Sequence, residues 1–333
     1  MSARIRLALV LVALVAAAPS VFAYLSLGTT VNGRSVQTRW TSMPIRYFIT
    51  NRGVAGVSAA QMQAAAVASF STWSQVPTAS LSASFAGFTN AEPVRDDGAT
   101  VIGFQPHEEL ERTLGVTAFT LDRTTGTLVE ADIYLNSAFD WSVAASGEAN
   151  KFDVQSTLTH EIGHLLGLGH SLLGETVLRP EGGRRVTSKR SVMFPIAYLV
   201  GTTLDRTLQD DDIAGVSDTY PTGKFLNSTG SVAGRVTLDG AGVFGAHVIA
   251  VNTKTGQTVG AFTLNSQGQF TMDGLEPGIY VLRVEPIDDA DVGSFFNDDA
   301  KVDVNFRAAF YSKLVAVPVG GAGASAEIKV VRK

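Results

Sequence analysis

Three histidines and a glutamate fall within one short string, His160-Glu161-Ile162-Gly163-His164-Leu165-Leu166-Gly167-Leu168-Gly169-His170. Their spacing is that of a metal site with a base built in. His160 and His164 are four residues apart, so on a helix they share a face and both rings can reach one tetrahedral ion. Glu161 lies beside the first ligand and can take a proton from water that the metal activates. At Gly167 the helix must stop, because glycine tolerates the left-handed conformation of a helix C-terminus. The chain can then turn back and deliver His170. Three neutral imidazoles leave a fourth position open, the layout of a catalytic zinc ion (Zn2+) rather than a structural one. The chain has five histidines in all; so dense a cluster argues against coincidence.

Such a string needs a scaffold, and the flanking sequence predicts one α+β domain over residues 24–221. Pro44 to Thr50 alternates apolar residues and reads as a strand. Ser58 to Val76 reads as a helix, with capping-box spacing at Ser58 and Gln61 and an apolar face of Met62, Ala65, Ala66, Phe70 and Trp73. Thr100 to Phe104, Gly115 to Leu121 and Val129 to Asn136 read as further strands. Asp153 can cap the helix that carries the histidines, which runs to about Leu166. A last helix, Gln209 to Tyr220, opens on three aspartates that favour its dipole. Residues 222–230 read as a linker. Residues 231–333 show short strands at Ser231 to Leu238, Ala246 to Asn252, Thr258 to Leu264, Gln269 to Met272 and Gly278 to Val284, and predict an all-β sandwich.

Composition bounds what such a protein does. The 333 residues suffice for two domains, and 45% hydrophobic with 17% charged residues is ordinary for a folded chain. Residues 1–23 read as a secretory signal peptide, with Arg4 and Arg6 before an apolar run from Leu7 to Ala18 and a small-residue cleavage site after Ala23. The net charge is −5; without the two leader arginines it becomes −7. An acidic chain with no long basic cluster gives no support to a nucleic-acid partner. No later stretch approaches the roughly 18 apolar residues of a membrane span, so no membrane partner is expected once the leader is removed. The chain has no cysteine, so a secreted product must rely on packing and bound metal.

The region 24–221 resembles the metzincin metalloproteases, and within them the matrixins. The carrying residues are the histidine string followed by Ser171, the Met-turn-like Ser191-Val192-Met193-Phe194-Pro195, the helix start Leu208-Gln209-Asp210-Asp211-Asp212-Ile213-Ala214-Gly215, and Phe70-Ser71-Thr72-Trp73. The resemblance implies a mixed twisted sheet with an active-site helix and peptide-bond hydrolysis with protein or peptide substrates. It implies Glu161 as general base, His160, His164 and His170 as zinc ligands, and Met193 as a packing floor beneath them. Gly115, Val116, Thr117 and Ala118 are similar to the edge strand on which matrixins lay an extended substrate. Pro195 to Tyr198 would line the pocket after the cut, with Tyr198 as a wall.

Three departures from the family stand out. A second, structural zinc is usual, but only His107 is available upstream, so no such site is expected and His107 reads as a surface histidine. The cysteine latch of animal matrixins is missing. The segment from His170 to Met193 is longer than usual and holds Arg179, Arg184, Arg185, Lys189 and Arg190, reading either as a basic lid or as a solvated loop. A calcium ion (Ca2+) is usual in the family, yet Asp96, Asp97, Asp122 and Asp140 form no recognisable loop motif. Residues 231–333 resemble carboxypeptidase regulatory-like, transthyretin-like domains through Gly234-Arg235-Val236, Gly268-Gln269-Phe270 and Leu275-Glu276-Pro277-Gly278-Ile279-Tyr280. This domain reads either as a binder of a surface or polymer or as a passive stabilising module, and Asp288, Asp289 and Asp291 either as a calcium site or as a solvated acidic loop. The expected whole is a secreted zinc endopeptidase. Its rivals are a zinc-containing surface-binding protein with a vestigial protease domain, and an exopeptidase.

Overall fold

The computed structural model describes residues 26–94, 96–180, 182–297 and 299–333; the expected leader lies outside them. A hairpin, β1 (Gly28–Val31) and β2 (Arg34–Gln37), precedes the main sheet. That sheet is built from β3 (Ile45–Thr50), β4 (Ala83–Thr89), β5 (Thr100–Gln105), β6 (Gly115–Leu121) and β7 (Leu128–Asn136). Its order is β4-β3-β5-β7-β6. All neighbours are parallel except β6, which runs antiparallel to β7 with Thr117 opposite Ile133. The mixed sheet therefore ends on β6. Strand β4 escaped the sequence reading because its two glycine-flanking aromatics give little alternation.

Helix α1 (Ala59–Ser74) starts where the capping box requires: the Ser58 hydroxyl accepts from Gln61 N at 3.3 Å, and the Gln61 side chain accepts from Ser58 N at 2.9 Å. Its buried face stacks Phe70 on Tyr47 of β3, ring centroids 4.5 Å apart. The indole of Trp73 donates to Thr159 O at 2.8 Å, tying α1 to the next helix. Two-residue strands β8 (Trp141–Ser142) and β9 (Phe152–Asp153) lead into α2 (Val154–Leu165), the histidine-bearing helix. As expected, Asp153 caps it, accepting from Ser156 N at 2.7 Å; the same carboxylate also accepts from Arg206 Nε at 2.9 Å. Gly167 ends it with φ +94°.

The long segment after His170, weighed as a basic lid or a solvated loop, has regular structure. It forms a hairpin, β10 (Gly174–Leu178) with β11 (Arg184–Lys189), whose Val186 is buried. Helix α3 (Asp210–Thr219) follows, and the expected linker folds into a short helix, α4 (Gly223–Ser228), capped by Thr222 and anchored by buried Phe225. Thr222 and Ser228, read as loop formers, serve here at the helix ends.

The second domain is a two-sheet sandwich. One sheet joins β12 (Gly230–Leu238), β13 (Ala241–Gly242) and β16 (Gln269–Leu275), with β20 (Ala326–Val330) parallel to β12. The other joins β14 (His247–Asn252), β15 (Thr258–Phe262), β17 (Gly278–Glu285), β18 (Ala309–Phe310) and β19 (Val315–Val317). Val236, Val248, Phe270, Leu282 and Phe306 fill the space between. Among the described residues no helix is long and apolar enough to cross a membrane.

The two domains share structure. A buried apolar cluster draws Leu172, Val186 and Phe194 from one and Phe262, Ile287, Phe295 and Phe296 from the other. At its side, Asp211 of α3 accepts from Gly260 N of β15 at 2.8 Å. Burial pushes the Asp211 carboxyl up to about 7, against the hydrogen bonds it accepts. Its native pKa thus exceeds the unfolded one, so the folded chain holds this proton after the unfolded chain has lost it. The resulting stability is fully present below the ordinary aspartate value and is lost as pH rises towards about 7. Asp211→Asn is expected to flatten that slope, and urea unfolding of both chains at pH 5 and pH 8 checks it: the variant should lose less stability between the two.

Candidate metal centre

Helix α2 places His160 and His164 one turn apart, and the turn at Gly167 returns the chain so that His170 closes on them. The His164 Nε2 atom lies 3.2 Å from Nε2 of His160 and 3.2 Å from Nε2 of His170. Each ring is fixed from behind. His160 Nδ1 donates to Val192 O at 2.7 Å, His164 Nδ1 to Leu168 O at 2.8 Å, and His170 Nδ1 to Ser294 O at 2.7 Å. A carbonyl only accepts, so each Nδ1 carries the proton and each Nε2 presents a lone pair. Three lone pairs converge on one point with no hydrogen between them, an arrangement that asks for a cation. Tetrahedral zinc with Zn–N near about 2.1 Å would put its ligand nitrogens about 3.4 Å apart, close to what is seen. The residues fit the ion.

Electrostatics point the same way. Burial pulls His164 down to about 4 and His170 to about 3, and holds His160 well below its ordinary value, with the neighbouring imidazoles adding to it. The three rings are neutral and ready to ligate. Among the described residues they form the one group of three or more His, Cys, Asp or Glu side chains that could hold a metal ion. The aspartates weighed for calcium, Asp96, Asp97, Asp122 and Asp140, make no second group.

Glu161 lies on α2 against β6. Thr117 donates through Oγ1 to the Glu161 carboxylate at 2.7 Å and to its backbone carbonyl at 2.9 Å. Burial pushes the Glu161 carboxyl up to about 7, against that hydrogen bond. Gly115 leaves the carboxylate its room: a Cβ there would stand 2.9 Å from Oε1 and 3.1 Å from Cδ. Thr117 and Gly115, expected to meet substrate, therefore hold the glutamate with side chain and with empty space. Of the other two strand positions, Val116 is half-buried and Ala118 buried.

Beneath the helix, the Met193 sulfur packs so close to Gly163 that a Cβ there would be 2.2 Å from it. Asp212 holds this turn, a role its place in an acidic run does not reveal. Its carboxylate accepts from Ser191 Oγ at 2.6 Å, Val192 N at 2.8 Å, Met193 N at 3.2 Å and Gln209 N at 2.8 Å. Pro195 and Tyr198 are half-buried beyond the turn. The Tyr198 ring lies under Lys189, whose ammonium is 5.5 Å from the centroid and is itself paired with half-buried Asp205 at 2.8 Å. Lys189 is thus part of the wall rather than of a basic lid. His107 lies at the surface but is not free there: it is half-buried, stacked on Tyr134 at 4.3 Å and bonded to exposed Glu109 at 2.8 Å.

The geometry has its counterpart in known families. The Matrixin family matches residues 39–221 and the carboxypeptidase regulatory-like domain matches residues 231–295. With more than half its length so matched, the chain belongs to the matrixin family. It is 30% identical over 136 residues to Metalloendoproteinase 2-MMP of Arabidopsis thaliana, covering 36% of this chain and 34% of that one. It is 28% identical over 130 residues to Metalloendoproteinase 4-MMP of the same plant, covering 38% and 36%. The chain thus spans about a third of the length of these relatives. Among solved structures, the Bacillus anthracis TIE protein matches at 17% identity and a TM-score of 0.22, over 32% of this chain and 17% of that one.

Proposed function

We propose that this chain is a secreted, zinc-dependent endopeptidase with Glu161 as its general base. The observation that carries the reading is the convergence of three imidazole lone pairs beside a carboxylate, under an edge strand. His160, His164 and His170 would hold a zinc ion, which would supply the Lewis acidity to polarise a scissile carbonyl and acidify water. Glu161 takes the proton as water attacks and passes it to the leaving amine. Thr117 keeps its carboxylate aimed, and Gly115 keeps the approach open. The backbone of Gly115 to Ala118 pairs with an extended peptide by strand addition, which favours cleavage within chains over trimming at ends. Pro195 and Tyr198 border the pocket for the residue after the cut. The leader-like residues 1–23 support export.

The test is digestion of a mixed peptide library by the zinc-loaded protein beside Glu161→Ala, read by mass spectrometry. Internal cuts are expected from the parent chain, and about 10²- to 10⁴-fold slower cutting from the variant. No cuts from a folded, zinc-loaded parent would sink the reading, and cuts at chain ends alone would convert it to an exopeptidase.

A further inference from the structure

We infer that the β-sandwich is a working part of the metal centre: the turn Asp291–Phe296 positions His170 through the carbonyl of Ser294, so the site is complete only when the two domains are docked. This rests on the reading of the triad as a zinc site and goes beyond it, since it assigns the second domain a chemical task.

The three ligands are fixed alike but from different places. His160 and His164 donate to carbonyls of their own domain, whereas His170 donates at 2.7 Å to Ser294 O, 124 residues along the chain. The acceptor decides the tautomer, and with it the direction of the Nε2 lone pair. Outer partners of this kind matter about 10- to 100-fold in metal affinity. Without the turn, the His170 ring would lose the acceptor of its Nδ1 proton, on a segment that passes through Gly167 and Gly169.

The turn itself is firmly made. It is a single 3₁₀ turn, Val292–Ser294, closed by Ser294 N to Asp291 O at 2.9 Å and by Phe295 N and Phe296 N to Val292 O, both at 3.0 Å. Phe295 has no solvent exposure. Its ring sits 6.2 Å from that of His170 and 5.4 Å from Phe262 of β15, linking the ligand to the sandwich sheet. Polar ties at the rim hold the register. Thr176 of the β10–β11 hairpin donates from N to Asp289 Oδ1 at 2.6 Å and from Oγ1 to Asp289 O at 2.8 Å. Asp289, read from sequence as part of a calcium site or a solvated loop, is a docking residue. The β10–β11 insertion and the sandwich therefore grip each other, and what they hold between them is the carbonyl behind His170.

The test weakens that carbonyl while leaving every side chain in place. Replacing Phe295 in the full chain by its α-hydroxy analogue turns the Ser294 carbonyl into an ester carbonyl, a poorer acceptor, and also removes the Phe295 N–H bond to Val292. The same exchange at Phe296 removes its sister bond to Val292 and spares Ser294, so it serves as control. Zinc affinity by competition with a chelator, and the visible spectrum of the cobalt(II) form, are the readouts. The 295 ester is expected to bind zinc several-fold to about 10-fold more weakly than the 296 ester, with a shifted cobalt spectrum. Equal affinity and identical spectra would overturn the inference alone; failure of the unmodified protein to bind zinc would overturn both it and the proposed function. Should either ester fail to fold, hydrogen exchange at the ring nitrogens of the unmodified zinc form decides: a protected His170 Nδ1 proton upholds the inference, and one exchanging like a free imidazole overturns it.

Discussion

Asp212→Ala is expected to cost about 3–5 kcal/mol of stability and to weaken the metal site with it. The carboxylate is 2% exposed and accepts from one hydroxyl and three backbone N–H groups. Alanine leaves Ser191 Oγ and Val192 N buried without this acceptor, at about 1–3 kcal/mol each before relaxation, while Met193 N keeps only its bond to Ser191 Oγ. The sum places the variant at the severe end of single substitutions. The damage does not stay local. Val192, held through its N–H, offers the carbonyl that orients His160, and Met193, held through its own, packs beneath α2. Asp212→Asn is not expected to rescue the site, because its NH2 would face a donor. A lowered urea midpoint with unchanged slope, together with weaker zinc binding in both variants, checks the expectation. A variant as stable as the parent would show that water can replace the carboxylate.

What could be read in the sequence divides along one line. Features set by neighbours in the chain were legible: the spacing of His160 and His164, the capping box at Ser58, the aspartate cap on α2 and the glycine stop at its end. Each depends on helical geometry within a few residues. Features set by distant partners were not. Nothing local distinguishes Asp212, which gathers the Met193 turn, from Asp211, which reaches across to Gly260, or from Asp210, which bonds Thr258. Thr117 reads as a residue of the substrate strand, yet its side chain is the hydrogen-bond donor to Glu161.

The second domain shows the same division more sharply. Its strands follow from alternation and turn residues, and the sandwich emerged with β13, β18, β19 and β20 added, all of five residues or fewer. Its contribution to His170 had no signal, because the contributing atom is a backbone carbonyl and any residue type carries one. The choice weighed from sequence, between a binding module and a passive one, omitted the role that the contacts favour. In the same way the basic residues after His170 read as a lid or a solvated loop, whereas the Lys189 side chain is buried against Asp205 and Val186 of the hairpin joins the apolar cluster between the domains.

Gly167→Ala is expected to be at least as damaging as loss of Asp212, and for two separable reasons. The residue has φ +94°, where an L side chain costs about 1–2 kcal/mol. In addition, a Cβ would stand 2.2 Å from Thr38 O. That carbonyl belongs to backbone and cannot swing aside, since Thr38 N donates to Leu27 O at 2.8 Å and Leu27 N donates to Gly167 O at 2.9 Å. The helix end must move instead. Leu168, the next residue, supplies the carbonyl behind His164, and His170 follows two residues later, so two of the three ligands shift together. Gly256→Ala separates the two causes: it has a similar φ of +77° and nothing within 4 Å of the added carbon. The control is expected to lose about 1 kcal/mol and keep its zinc affinity. Gly167→Ala is expected to lose several times that, with zinc affinity falling in parallel, and equal losses in the two variants would mean that the helix end is free to yield.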